Sequence, residues 1–260
     1  MNPVLIALLF YLMPVQSQSS QPSVDELVSR LFSYVRDYRA NLPSLMCDEL
    51  ILSQVMRKGK IQKEVRIEST LREIRDEANT DKDLREEQFF EFKEDHVFHK
   101  VNNEPPKSHF DLPFFVQGGF ANAMGFGHEN RRDCFEYRIS QIEERKTLKI
   151  DVSVKADRKE EPCRSIHNGY RQVVLFDPVV GHILHTERTI SPDEARSRKQ
   201  VYFAAMDYGP QELGGKTIWL PTKLVTHDEK DRGRMIVTYS NYHRYKATST
   251  IVPVSSQPSN

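Results

Sequence analysis

The chain is expected to be an α+β protein: an N-terminal amphipathic helix packed on a curved antiparallel sheet. Three observations predict this. Apolar residues recur at helical spacing near the start, then at a spacing of two through most of the remainder. In the last hairpin the alternation slips by one residue, as a bulge in a bending sheet would require.

Ser23 and Glu26 form a Ser-x-x-Glu capping box, followed by Val24, Leu27, Val28, Leu31, Val35 and Tyr38 along one helical stripe. Asn41, Leu42 and Pro43 end it, because the residue before a proline is pushed out of helical backbone. Residues 47–56 and 61–75 read as an opening hairpin around Lys58 and Gly59, with Val65, Ile67 and Leu71 on one face. Residues 87–93 and 96–101 read as two further strands with charged outer faces.

Beyond Pro105 and Pro106 lies the least polar part of the chain after its first residues. Phe114, Phe115, Phe120, Met124 and Phe126 are interleaved there with glycines, which predicts one or two short, loosened helices covering the sheet. Residues 135–142, 148–154, 173–176, 183–190 and 201–208 follow as strands, with a turn at Asp177, Pro178 and Gly181 and a helix start at Ser191 and Pro192. The last hairpin runs through Ile218, Trp219, Leu220, Pro221, Thr222 and Leu224, and returns from Arg234 to Lys246. Ile218, Leu220, Thr222 and Leu224 are expected on one face of its first arm; Met235, Val237 and Tyr239 share a face of its second. Tyr239 and Tyr242, three apart, place the bulge at Ser240 and Asn241.

With 260 residues and 38% hydrophobic content the chain can bury a core. Its 37 basic and 37 acidic residues cancel, so nucleic acid is not an expected partner. Residues 4–13 are continuously apolar, too short to span a bilayer comfortably, and Val15 and Ser17 suit cleavage after Ser17. The expected organisation is a signal peptide at 1–17, one β-rich domain at 18–254 and a disordered tail at 255–260. The mature chain is then periplasmic or secreted and does not span the membrane.

Cys47, Cys134 and Cys163 form no metal-ligand spacing. In an oxidising compartment Cys134 with Cys163 is the expected disulfide, both lying between strands of one central block, with Cys47 left as the odd thiol. The alternative is three buried thiols.

Catalytic motifs fail on inspection. His128 and Glu129 begin like a zinc-protease helix, but Arg132 stands where the second histidine is required. No Gly-x-Ser-x-Gly occurs, and the glycines at 118–127 lack the Lys-Ser/Thr of a phosphate loop. His96 with His99, and His182 with His185, are three apart on strands and so point to opposite faces. No catalytic residue, metal or cofactor is expected. What survives is apolar: a bending sheet and a glycine-loosened cover either enclose a hydrophobic cavity or complete a solid core.

This order of features, with Trp219-Leu220-Pro221-Thr222 and Tyr239-Ser240-Asn241-Tyr242 in its last hairpin, resembles the LolA/LolB-like superfamily of periplasmic lipoprotein carriers. That superfamily includes the sensor RseB and uncharacterised secreted proteins of soil bacteria. The resemblance implies an incomplete, half-open β-barrel whose concave side, covered by helices, shelters acyl chains. By position, Phe114, Phe115, Phe120, Met124 and Phe126 correspond to the lid, and Ile218, Leu220 and Leu224 to the concave wall. The implied function is non-enzymatic binding of a lipid or an acylated protein. The alternative is a sensor or envelope-assembly module that binds a protein partner through the same sheet.

Overall fold

The computed structural model describes residues 22–80, 90–115, 129–142, 147–157, 163–166, 169–190, 202–228, 230 and 232–245. The expected signal peptide, the helix start at Ser191, the tail, and Phe120, Met124 and Phe126 lie outside them.

The predicted helix is α1 (Val24–Asn41), and its cap is the one the sequence specifies: Ser23 Oγ accepts from the Glu26 backbone N–H at 3.2 Å. Leu27, Val28, Leu31, Phe32 and Val35 form its buried stripe. At the far end Leu42 leaves helical backbone before Pro43, while its N–H still reaches the Tyr38 carbonyl.

Among the described residues ten antiparallel strands follow. They are β1 (Leu45–Arg57), β2 (Lys60–Thr80), β3 (Phe90–Val101), β4 (Phe135–Ile142), β5 (Thr147–Val154), β6 (Arg171–Asp177), β7 (His182–Ile190), β8 (Tyr202–Glu212), β9 (Thr217–Asp228) and β10 (Gly233–Arg244). All belong to one sheet in the order β3-β2-β1-β10-β9-β8-β7-β6-β5-β4. Among the described residues the two ends do not pair, so the curved sheet is an incomplete barrel. Lys58 and Gly59 take φ of 51° and 72°, the paired left-handed geometry a two-residue hairpin needs.

The expected bulge is present. Met46 pairs with His243 and Asp48 with Ser240, so β10 uses one more residue than β1. Asn241 supplies it at φ 53°, and its amide donates to Asp48 at 2.6 Å. The extra residue restores phase, which is why Tyr239 and Tyr242 are both buried.

Two expectations need correction. Residues 87–93 and 96–101 do not form separate strands: Glu94 and Asp95 continue the β3 ladder opposite Glu73 and Arg72, and Asp95 pairs with Arg72 at 3.5 Å. On β9 a second register shift, from Asp207↔Lys223 to Tyr208↔Pro221, inserts Thr222. Ile218, Leu220, Thr222 and Leu224 therefore do not share one face, and Leu220 and Pro221 are both buried.

The sheet's inner face is the side that carries α1: Phe32 meets Tyr137 edge-on and Tyr34 meets Phe176. One register row crosses that face through Ile67, Ile51, Val237, Leu224, Met206, Thr186, Val174, Ile150 and Ile139. Cys134 and Cys163 form the expected disulfide and Cys47 is a free, buried cysteine whose thiol burial pushes up to about 12, so it is chemically quiet.

Because α1 is held by its stripe rather than by propensity, Leu31→Ala, at a fully buried position, should cost about 2–5 kcal/mol in urea unfolding. Val24→Ala, at a half-exposed position on the same helix, should cost under about 0.5 kcal/mol. Equal costs would mean that α1 does not pack as described.

Candidate functional site

Among the described residues, Phe114 and Phe115 of the predicted lid do not meet Ile218, Leu220 and Leu224 of the predicted wall. Phe114 and Phe115 belong to a segment without regular structure, not to a helix. The segment is tied to the inner face by Ser53, whose hydroxyl donates to the Phe114 carbonyl at 2.6 Å and accepts from the Phe114 N–H at 2.9 Å. The Phe114 ring lies 5.5 Å from the Tyr202 ring and so close over Gly233 that a Cβ there would meet it at 2.3 Å. Phe115 meets His96 edge-on at 5.9 Å. Leu220 and Leu224 are fully buried in the interior, and Ile218 packs against it. Tyr202 pairs with Asp228, ten residues along β9 from Ile218, so the Phe114 end and the Ile218 end are separated by roughly 33 Å of strand.

Under Phe115 lies a buried polar cluster. Glu49, in phase with Cys47 and Ile51, accepts from Ser69 at 2.7 Å and meets His96 Nδ1 at 2.8 Å. Burial alone would lower the His96 pKa, but the carboxylates of Glu49, Glu94 and Asp95 outweigh it and raise it. Glu73, on the same face, is fully buried and neither carboxyl oxygen has a hydrogen-bond partner. Burial, reinforced by Glu94, raises it from 4.5 to about 9, so it is held as the neutral acid. These groups were within reach of sequence reasoning: Glu49 and Glu73 fall on the apolar phase of their strands, where a carboxyl is out of place.

A different opening lies on the other face. A hollow of about 660 Å³ spans β6 to β10, lined by Val173, Ala205 and Val225 in the middle, Phe203 and His227 beside them, and Arg171 and Arg234 at its two ends. Register places these side chains. Val173, Glu187, Ala205 and Val225 form one cross-strand row, and Thr189, Phe203, His227 and Arg234 the next. Phe203 and His227 stack at 5.2 Å, and Phe203 is one of the large apolar side chains that stay exposed. Glu187 is engaged by His185 at 3.2 Å. None of the described residues expected from the sequence, Phe114, Phe115, Ile218, Leu220 and Leu224, lines the hollow. Five strands contribute to its two rows, and nothing in a single strand announces the pairing.

No family model matches the sequence, and no match is found among curated proteins. Solved structures do align over most of the chain. A DUF1329 family protein from Desulfovibrio piger aligns with TM-score 0.42 at 11% identity, over 85% of this chain and 95% of that one. A LolA superfamily protein from Nitrosomonas europaea gives 0.38 at 10%, over 85% and 94%. A domain described as an outer membrane lipoprotein-sorting protein domain, from Vibrio parahaemolyticus, gives 0.43 at 10%, over 82% and 90%.

The buried acid and the ion pair make stability depend on pH in one direction. A carboxyl whose folded pKa lies above its unfolded one costs nothing below about 4.5; it weakens the fold as pH rises toward 9, because the folded state holds the extra proton. His96, with a raised folded pKa, likewise contributes most below its unfolded value and loses that contribution as pH rises through the folded one. Wild type should therefore lose about 1–3 kcal/mol more than Glu73→Gln between pH 5 and pH 8 in urea unfolding. Parallel profiles would show that Glu73 is ionised in the fold.

Proposed function

We propose that the protein is a non-enzymatic binding module of the periplasm or extracellular space that holds a lipid or acylated ligand against its curved sheet. The observation that carries this reading is the hollow spanning β6 to β10. Its volume of about 660 Å³ suits a small-molecule ligand, and Val173, Ala205 and Val225 give it an apolar floor. Each methylene buried there is worth about 0.8 kcal/mol, so an acyl chain supplies affinity without any motif. Glu73, whose carboxyl is raised to about 9, and His96, whose imidazole is raised, sit under protein on the inner face, not around this opening.

Phe114 and Phe115 have a supporting place in this reading as part of the cover over the inner face, and Leu220 and Leu224 are buried, already packed by protein. The disulfide fits an exported chain, since such bonds persist in oxidising compartments. No helix among the described residues is long and apolar enough to cross a membrane. A protein partner is the second reading, favoured by the sheet ends at β3 and β4, each paired on one side only among the described residues.

The neutral apolar dye Nile red tests the hollow directly. Ala205→Trp, which fills it, should weaken dye binding at least tenfold while far-ultraviolet circular dichroism stays that of wild type. A folded variant that binds the dye as wild type does would remove the hollow from the site.

A further inference from the structure

We propose that this hollow selects a long-chain carboxylate, its head group held by Arg234 and His227 and its alkyl body lying along Phe203, Ala205 and Val225. The inference rests on the reading that the hollow binds an acyl ligand, and adds which head group it takes.

Arg234 and His227 are direct cross-strand partners on β10 and β9, so their side chains stand side by side on the outer face. The next partner in the row is Phe203, on which the imidazole stacks. His227 Nδ1 lies 3.0 Å from the Asp228 carbonyl. A carbonyl only accepts, so Nδ1 donates to it, and Nε2 donates to a carboxylate when the ring carries its second proton. Among the described residues the Arg234 guanidinium has no carboxylate partner: Glu64, across β1, takes the Gln54 amide at 2.6 Å instead. An exposed apolar ring beside an uncommitted guanidinium is complementary to an amphiphile with an anionic head.

The two ends of the hollow differ. Arg171 and Arg234 lie on β6 and β10, four strand spacings or roughly 19 Å apart, so they do not clamp one head group. At the Arg171 end, Glu187 sits diagonally on the neighbouring strand opposite Val173, and its carboxylate offsets the guanidinium. At the Arg234 end, roughly 14 Å from Glu187, the neighbour is a histidine. Arg188 also lines the hollow, so charges of both signs gather at β6 and β7, whereas at β9 and β10 the guanidinium has no carboxylate beside it among the described residues. One guanidinium and one imidazole match a monoanion that Arg can grip through both oxygens. A phosphate monoester, carrying roughly −1.5 to −2, calls for more positive charge than this end provides.

Three ligands with the same chain length separate the possibilities: laurate, dodecyl phosphate and the neutral glyceryl monolaurate, each below its micellar concentration, measured by displacement of Nile red. Wild type should bind laurate at least tenfold more tightly than glyceryl monolaurate and more tightly than dodecyl phosphate. Arg234→Gln should remove that preference, changing laurate affinity tenfold or more and glyceryl monolaurate affinity by less than twofold, and Arg234→Lys should keep part of it. Independently of any variant, laurate binding to wild type should weaken as salt rises from about 0.02 M to about 0.5 M, with no loss for the neutral ester. Equal affinity for laurate and the neutral ester would overturn the head-group assignment and leave acyl binding standing. Tighter binding of dodecyl phosphate would overturn the choice of carboxylate. No binding of any of the three would overturn the acyl-binding reading itself.

Discussion

A sheet that curves without closing has one apolar face to hide, and the rest of this structure follows from how that face is covered. The register row from Ile67 to Ile139 crosses nine strands, so each strand's phase is fixed by its neighbours. A one-residue slip anywhere would turn a strand's apolar residues to water. Helix α1 covers part of this face with Leu31, Phe32 and Val35. The segment carrying Phe114 and Phe115 covers another part, where Ser53 satisfies a backbone N–H and a carbonyl that the cover would otherwise bury unpaired.

Covering the inner face so fully displaces the functional question to the outer one. Bulges at Asn241 and Thr222 reset phase on β10 and β9, which frame one end of the hollow. Tyr242 donates to the Pro221 carbonyl, joining the two strands near those irregularities. The outer face, freed from core duty, keeps small residues such as Ala205 in the middle and long cationic ones at the ends. The inner face carries its own cost in Glu73, a neutral acid sealed beneath the cover.

Much of the fold was legible because period and punctuation agree. The capping box at Ser23, the turn at Lys58 and Gly59, and the three-residue spacing of Tyr239 and Tyr242 each name a local geometry that the structure contains. The pairing of Cys134 with Cys163 was legible from compartment and position. The β9 phase was not, because a bulge beside Pro221 leaves two consecutive buried residues and no break in apolar character. The candidate site was least legible. Arg234, His227 and Phe203 become neighbours only through the registers of three strands, and each read alone is an ordinary solvent-facing residue.

Acyl-ligand binding is open to measurement on protein exported to a bacterial periplasm. Native mass spectrometry of the mature chain, followed by organic extraction, should show a stoichiometric adduct whose released component is a long-chain carboxylate. A clean apo mass from protein that also fails to take up a fluorescent fatty acid would contradict the account.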